Sequence, residues 1–304
     1  MRATAACVLA LSVGLAAAAA SQTLPSGTKN APVPTPNTAT VGCANNPNAL
    51  GTSRIVEVDT TGGPGFGFEH FKEHDFLRSK EVVLTFDDGP WPKNTPAVLA
   101  ALASHCVRAT FFPIGKHATW EPGILKQVAA AGHSIGTHTW SHADLSKKSK
   151  EEAIREIEMG ASAVHMAVGG PTAPFFRFPA LRHPPEMVKY LGERNIAIFS
   201  TDMDSFDFTM RKPEQVIKSV MGKLEKHGKG IVLMHDFQRA TSEAVPELLN
   251  QLKANGYQIV HMVPRAPMQT IAQYDEMVMK ENKLPTVSSR PTESVIRTIS
   301  EMPR

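Results

Sequence analysis

Short apolar runs alternate with amphipathic stretches along most of the chain. The apolar runs are VVLTF (82–86), ATFFPIG (109–115), HSIGTHT (133–139), APFFRF (173–178), IAIFSTD (196–202), GIVLMHD (230–236) and YQIVHM (257–262). Between them lie stretches with helical periodicity, several of which begin near a proline and end at a glycine. Strand–helix units repeated about seven times predict an α/β fold, a single distorted (β/α) barrel.

An open doubly wound sheet would show the same local pattern and is the alternative fold. No GxGxxG sequence follows the first predicted strand, and this argues against the dinucleotide-binding form of such a sheet.

The N-terminus has the composition of a targeting segment. Residues 1–20 combine Arg2 with a long uncharged apolar run and small residues at Ala18 and Ala20. This pattern predicts a secretory signal peptide, with an uncleaved membrane anchor as the alternative. We therefore expect an exported protein, periplasmic or extracellular, without an integral membrane domain after cleavage.

The remaining chain divides into three predicted parts. Residues 21–53 are rich in Pro, Thr, Asn and Ala, which predicts an extended or disordered linker. Residues 54–265 carry the strand–helix alternation and form the predicted catalytic domain. Residues 266–304 form the predicted tail, with one short helix around 268–282.

Composition narrows the class of protein further. The 304 residues are 42% hydrophobic and 20% charged, and the formal net charge is +3. A nearly neutral globular chain gives no reason to expect nucleic acid or an anionic membrane as a partner. Signal cleavage would leave Cys43 and Cys106, which could pair in an oxidising compartment or remain separate thiols.

The carboxyl ends of the predicted strands carry a recurring set of polar side chains. These are Asp87, Asp88, His138, His142, Arg177, Asp202, Asp204, Asp207, His235 and Asp236. In a (β/α) barrel such strand ends meet at one mouth, where enzymes of this architecture place their chemistry. The sequence therefore predicts one active site that draws on successive units.

The segment HTWSH suggests a metal site. His138 and His142 stand at i and i+4, so one helical turn would place both imidazoles on one side. With one carboxylate they would supply three ligands to zinc and leave a position open for water. Either Asp87 or Asp88 could be that carboxylate, since a turn after the pair would let both face the mouth. The other Asp would then act on the water.

The same spacing occurs a second time, in FEHFKEHDF. Here His70 and His74 precede the first predicted barrel strand. No strand-end acid accompanies them in sequence, so we interpret this pair as solvated or capping histidines.

Five ordered motifs carry a family resemblance. They are TFDDGP (85–90), HTWSH (138–142), RFPA (177–180), DSFDF (204–208) and LMH (233–235). Over residues 80–262 the chain resembles the polysaccharide deacetylases of carbohydrate esterase family 4, which include nodulation-type chitooligosaccharide deacetylases. Two positions depart from the family pattern: Ala180 replaces an aromatic residue and Phe208 replaces a Trp.

The resemblance implies a distorted (β/α) barrel and a role for each motif residue. The implied metal ligands are Asp88, His138 and His142, for a divalent ion that we expect to be zinc, with cobalt, manganese or nickel as alternatives. The implied catalytic residues are Asp87 as general base, His235 as general acid, Arg177 as the residue that orients Asp87, and Asp207 as the residue that holds His235. The residues expected to contact substrate are Ala180, Phe208, Leu233 and Trp140.

The implied reaction is metal-dependent removal of N-acetyl groups from N-acetylglucosamine-type sugars in peptidoglycan or chitooligosaccharides. An O-acetyl polysaccharide esterase and a cyclic-imide or ureide amidohydrolase on the same fold are the alternatives. A non-haem iron oxygenase also uses two His and one carboxylate, but neither the spacing nor the strand–helix alternation suits it. A catalytically silent wall-binding protein would have lost the base or the acid, and both are present.

Overall fold

The protein is described from a computed structural model that covers residues 48–281 together with Cys43 and Asn46. The predicted signal peptide, most of the predicted linker and residues 282–304 of the predicted tail lie outside the described residues. The strands are β1 (Thr52–Val58), β2 (Gly65–Phe66), β3 (Glu81–Asp87), β4 (Thr110–Phe112), β5 (Ser134–Ile135), β6 (Phe175–Phe176), β7 (Ala197–Phe199), β8 (Met203–Asp204), β9 (Gly230–His235) and β10 (Gln258–Pro264). The helices are α1 (Asn94–Ser104), α2 (Gly115–Trp120), α3 (Pro122–Ala130), α4 (Lys150–Val168), α5 (Pro185–Glu193), α6 (Pro213–His227), α7 (Arg239–Ala254) and α8 (Ala272–Glu281).

The central strands form an incomplete ring in which all pairings are parallel. Pairing runs from β8 through β9, β3 and β4 to β5. A single bridge between Thr137 and Phe176 continues the ring to β6, which pairs with β7. No strand pairing joins β7 to β8 within residues 48–281, so the ring is open at this point. The α/β fold with a parallel sheet agrees with the sequence prediction.

One strand of the ring is not the strand that the sequence predicted. The run at 257–262 was expected to be the seventh barrel strand, but β10 pairs with β1 along its length and with β3 at only two positions. The short β8 takes the seventh place instead. Thr201 explains why β7 and β8 are separate: its Oγ1 donates to the Ile231 carbonyl and accepts from the Met203 N–H. At this corner the Ile231 carbonyl therefore accepts from a side-chain hydroxyl as well as from the Asp202 N–H.

The two ends of the predicted catalytic domain also shift slightly. β1 begins at Thr52, so the last two residues of the predicted linker are strand residues. Their side chains are polar, which hid the strand in the apolar pattern. The short helix expected near 268–282 is α8. None of the helices within residues 48–281 combines the length and the apolar character needed to cross a bilayer.

β3 organises the core because both of its faces are buried. Leu84 and Phe86 belong to the outer core, which they share with residues of α1 and α7. Val83 belongs to a separate inner cluster with residues of β4, β7 and β9. Since successive side chains of a strand alternate, Thr85 and Asp87 share the inner face with Val83. The strand period thus directs Asp87 into the ring.

A disulfide joins Cys43 to Cys106, just after α1. The two residues are 63 positions apart in sequence, and their Cα atoms lie 5.8 Å apart. Of the two possibilities that the sequence left open, the structure has the pair. The bond ties the segment before β1 to the outer layer of the domain.

We expect replacement of both cysteines, Cys43→Ser with Cys106→Ser, to lower the free energy of unfolding by about 2 to 4 kcal/mol. The reason is that a cross-link of this span restricts the unfolded chain. Thermal unfolding followed by circular dichroism measures the effect, and adding reductant to the unmodified chain should reproduce it. An unchanged midpoint in both experiments would contradict the stabilising role.

Candidate active site

The ends of β3 and β9 place two predicted catalytic side chains next to each other. The strands are parallel neighbours, and Asp87 is the register partner of His235. Asp87 is 2% exposed, whereas His235 has a side-chain exposure of 12%. Both side chains therefore lie at the mouth of the ring, with Asp87 the deeper of the two.

A left-handed turn directly after β3 brings in the second carboxylate. In a continuing strand Asp88 would point away from Asp87, but its φ of +72° turns the chain instead. The Gly89 N–H donates to Asp236 Oδ1 at 3.1 Å. A Cβ at residue 89 would come within 2.2 Å of Asp236 Oδ2, so only glycine fits. The turn that the sequence predicted after the two acids is present.

The loop 138–142 brings together the two predicted histidine ligands, although not by the predicted geometry. It is a turn with left-handed residues at Thr139 and His142 (φ +65° and +59°) rather than a turn of helix. The ring centroids of His138 and His142 are nevertheless 4.9 Å apart. Glu156 of α4 holds the loop, because its carboxylate accepts from both the N–H and the hydroxyl of Ser141.

Asp88, His138 and His142 form a candidate metal centre. Asp88 Oδ1 lies 3.5 Å from Nε2 of each histidine, and the ligand atoms all fall within 4.8 Å of one another. Ligands about 2.0–2.1 Å from a tetrahedral zinc ion are about 3.3–3.4 Å apart. The two Asp88–His separations are therefore close to those of a metal site.

Two further observations indicate that these three residues could bind a cation. Asp88 Oδ1 is buried and has no hydrogen-bond partner within the part of the chain that the structure describes, which is costly unless an ion compensates it. His138 Nδ1 lies 2.7 Å from the Arg177 carbonyl and donates to it. Burial and the neighbouring His142 hold the pKa of His138 well below its usual value. The Nε2 of His138 is thus a free lone pair facing Asp88.

Arg177 holds the other carboxylate. Its Nη1 donates to Asp87 Oδ1 at 2.7 Å, and the guanidinium and Asp87 are 0% and 2% exposed. Burial raises the pKa of Asp87 to about 6, against the opposing effects of the Arg177 and His235 charges. Asp87 is therefore a stronger base than an exposed aspartate, and it is fixed in position.

Asp207 holds His235 and favours its protonated form. Burial alone would lower the pKa of His235, but the hydrogen bond and charge of Asp207 outweigh it and raise the pKa to about 9. Asp207 Oδ1 lies 2.6 Å from His235 Nδ1, and Asp207 Oδ2 accepts the His235 N–H at 2.8 Å. The Thr241 hydroxyl also donates to Oδ2. His235 is thus protonated, with its Nε2 directed to the mouth.

Two of the four residues predicted to contact substrate lie beside or beneath His235. Phe208 is 49% exposed, and its ring centroid is 5.6 Å from that of His235. Leu233 is buried two residues before His235 on the same face of β9. The third, Ala180, is exposed in the turn Pro179–Leu181, with φ +51°.

The fourth residue, Trp140, packs elsewhere. Its side chain joins a small apolar cluster with Met159, Ala163 and Val278, against α4 and α8. Trp140 was expected to contact substrate, and the structure instead gives it a packing role.

Two of the predicted strand-end acids, Asp202 and Asp204, accept hydrogen bonds from backbone N–H groups and are not part of the candidate metal centre. Asp202 accepts from the N–H groups of Phe68 and Ile231. Asp204 accepts from the Phe206 N–H. Both carboxylates therefore support the loops around β8.

The sequence did not predict the supporting roles of two residues, Asp236 and Glu156. Asp236 is 1% exposed and accepts from Gly89, and Glu156 fixes the histidine loop. Asp236 stood among the strand-end acids, but its role beneath the Asp88 turn depends on a contact 147 residues away in sequence. Glu156 lies within an ordinary amphipathic helix pattern and gave no signal.

The second HxxxH pair does not form a metal cluster. His70 Nδ1 bonds Ser200 Oγ at 2.7 Å, and His74 packs near Phe66. Among the described residues, Asp88, His138 and His142 are the one group of three or more suitably placed ligands.

Several known proteins are similar to this chain in sequence. A sequence model of the polysaccharide deacetylase family matches residues 76–198. Peptidoglycan-N-acetylglucosamine deacetylase PgdA of Listeria monocytogenes is 34% identical over 185 residues, which are 60% of this chain and 38% of that protein. A chitooligosaccharide deacetylase of Bradyrhizobium is 30% identical over 162 residues, covering 53% of this chain and 73% of that protein.

A solved structure of a deacetylase is also similar to this chain. A peptidoglycan deacetylase of Bdellovibrio bacteriovorus superimposes with a TM-score of 0.66 and 32% identity, over 73% of this chain and 62% of that one. This chain therefore spans only part of the Listeria and Bdellovibrio proteins that it matches. The family model spans Asp87, Asp88, His138, His142 and Arg177. This chain also covers 73% of the Bradyrhizobium relative at 30% identity, and it belongs to the polysaccharide deacetylase family.

Proposed function

We propose that the protein is an exported, metal-dependent hydrolase that removes N-acetyl groups from an N-acetylglucosamine-type polymer or oligomer. The observation that carries the proposal is Asp88 Oδ1, which has no hydrogen-bond partner among the residues that the structure describes and faces two imidazoles. Asp87 and His235 lie beside it. Peptidoglycan and chitooligosaccharides lead as substrates because relatives with these substrates in their names share the sequence.

The donor set of one carboxylate and two imidazoles suits zinc best. Cobalt, manganese or nickel could occupy the same three residues. When bound, such an ion polarises the acyl carbonyl and makes water a better nucleophile at neutral pH. Arg177 contributes to this site through its backbone, because its carbonyl fixes the His138 ring.

Asp87 is the proposed general base. It is buried beside the candidate metal centre, its pKa of about 6 suits proton abstraction near neutral pH, and Arg177 fixes its orientation. Asp87 takes a proton from the attacking water as the new C–O bond forms. A backbone N–H near Ala180 would stabilise the oxyanion that develops on the acyl carbonyl.

His235 is the proposed general acid. Amide cleavage needs a proton on the departing nitrogen, because an amide anion is a very poor leaving group. His235 is held protonated by Asp207 and is the strand neighbour of Asp87. It can therefore give its proton to the amine on the other side of the reacting carbon. The products are acetate and a free amino sugar.

We expect His142→Ala to weaken zinc binding by more than about 100-fold and to abolish acetate release, because the site would lose one of its three ligands. Metal content after dialysis and acetate release from chitopentaose measure the two effects. His74→Ala is the matched control, since it removes the corresponding histidine of the second HxxxH pair. Stoichiometric zinc in folded His142→Ala would remove His142 from the ligand set.

We expect Asp87→Asn to retain bound metal but to lower kcat by about 100- to 10,000-fold, because the amide cannot accept the proton from water. The matched control is Asp59→Asn, which changes an exposed aspartate paired with Arg265. A kcat near that of the unmodified chain in Asp87→Asn would exclude Asp87 as the base.

A further inference from the structure

Several large aromatic side chains are exposed near the mouth of the ring. Trp91 and Trp120 are 39% and 60% exposed, and Phe206 and Phe208 lie near 50%. Single exposed apolar residues are common on protein surfaces, but a connected group of them marks a binding surface.

Trp120 and Trp91 are connected through His117. The His117 ring lies 4.9 Å from the Trp120 ring and 5.4 Å from the Trp91 ring, between centroids. His117 Nδ1 lies 2.6 Å from the backbone carbonyl of Asp88 and donates to it. The aromatic group therefore starts at the backbone of a candidate metal ligand and runs outward to Trp120 at the end of α2.

A second series of contacts leads from Trp91 to the proposed acid. Phe237 lies 6.4 Å from Trp91 and 5.9 Å from His235, between ring centroids. We call Trp120, His117, Trp91 and Phe237 the aromatic strip. Phe208 also contacts His235, with 5.6 Å between ring centroids, so two aromatic rings pack against the proposed acid.

Hydrogen bonds hold the backbone of the strip in place. The backbone N–H of Trp91 donates to Thr95 Oγ1 at 2.8 Å, and the Thr95 hydroxyl donates to the buried carboxylate of Asp236. The side-chain amide of Asn94 donates to the Phe237 carbonyl at 2.6 Å. The Thr95 bonds connect Trp91 to the same Asp236 that fixes the Asp88 turn. Fixing the backbone of Trp91 and Phe237 in this way reduces the conformational entropy that would be lost on binding.

We propose that the aromatic strip is a sugar-binding subsite, in which Trp91 and Trp120 stack on the pyranose ring of a residue next to the reacting one in the substrate chain. The inference rests on the proposed function, which places the reacting sugar at His235. The C–H groups of a pyranose face complement the negative face of an aromatic ring. Neither a carboxylate nor an ammonium group belongs to the strip, so it suits a neutral sugar ring better than an anionic group.

The consequence is a preference for longer chains. A single sugar bound at His235 has no neighbouring ring to place on Trp91 or Trp120, whereas an oligomer would occupy both positions. The subsite would thus raise kcat/KM as the substrate lengthens, through binding energy from a part of the chain that does not react.

The test compares Trp120→Ala and Trp91→Ala with the unmodified chain, using acetate release from N-acetylglucosamine, which has no neighbouring sugar, and from chitopentaose. For each variant we expect kcat/KM for chitopentaose to fall about three- to tenfold, as the loss of one ring contact implies, and the fall for N-acetylglucosamine to be smaller. Trp91→Phe, which keeps a ring, should recover most of the loss. Met279→Ala, an exposed apolar residue on α8, is the control and should leave both substrates unaffected.

Zinc content and circular dichroism establish that the variants keep the metal and the fold. The inference is overturned if the unmodified chain releases acetate and both tryptophan variants keep its kcat/KM for chitopentaose. It is equally overturned if they lose the same factor on both substrates.

A binding measurement separates this inference from the proposed function. Chitopentaose is titrated into Asp87→Asn, with or without Trp120→Ala, and binding is followed by calorimetry. Weaker binding in the double variant supports the subsite even if no substrate releases acetate, in which case only the proposed function fails. Equal binding by the two proteins overturns the subsite.

Discussion

The buried ion pair between Arg177 and Asp87 is the interaction on which the rest of the site depends. A buried pair is costly unless every polar atom finds a partner, and here the guanidinium also donates to Thr85 Oγ1 and to the carbonyls of Phe199 and Ser200. One side chain therefore ties the ends of β3, β6 and β7 together inside the ring. Because Arg177 balances the charge of Asp87, the adjacent Asp88 is left to face the two histidines.

Asp87 and His235 lie next to each other in different environments, and this difference accounts for their different proposed roles. Asp87 has a pKa raised to about 6 by burial, and His235 has a pKa raised to about 9, chiefly by its bond to Asp207. A carboxylate and an imidazolium on neighbouring strands are thus available together, as acid–base catalysis requires. Asp236 supports this arrangement from below, because it fixes the turn that separates Asp88 from the strand.

Much of the fold and site could be predicted from local sequence. The strand period places Asp87 on the inner face of β3, and the two acids before Gly89 indicated a turn, which the structure shows at Asp88. The predictions that were wrong involve contacts distant in sequence. Thr201 breaks a strand by bonding Ile231, β10 pairs with the N-terminal β1, and the histidine loop is shaped by Glu156 rather than by helical spacing. Trp140 was misassigned for the same reason, since its packing partners include Val278 of α8.

The most direct test of the account is acetate release by the purified chain from chitopentaose, peptidoglycan and acetylated xylan, each with a chelator and then with zinc or cobalt restored. The account predicts release from an N-acetylated substrate that the chelator abolishes and added metal recovers. Undiminished release after complete removal of the metal would contradict it. So would release from acetylated xylan alone, which would identify an O-acetyl esterase instead.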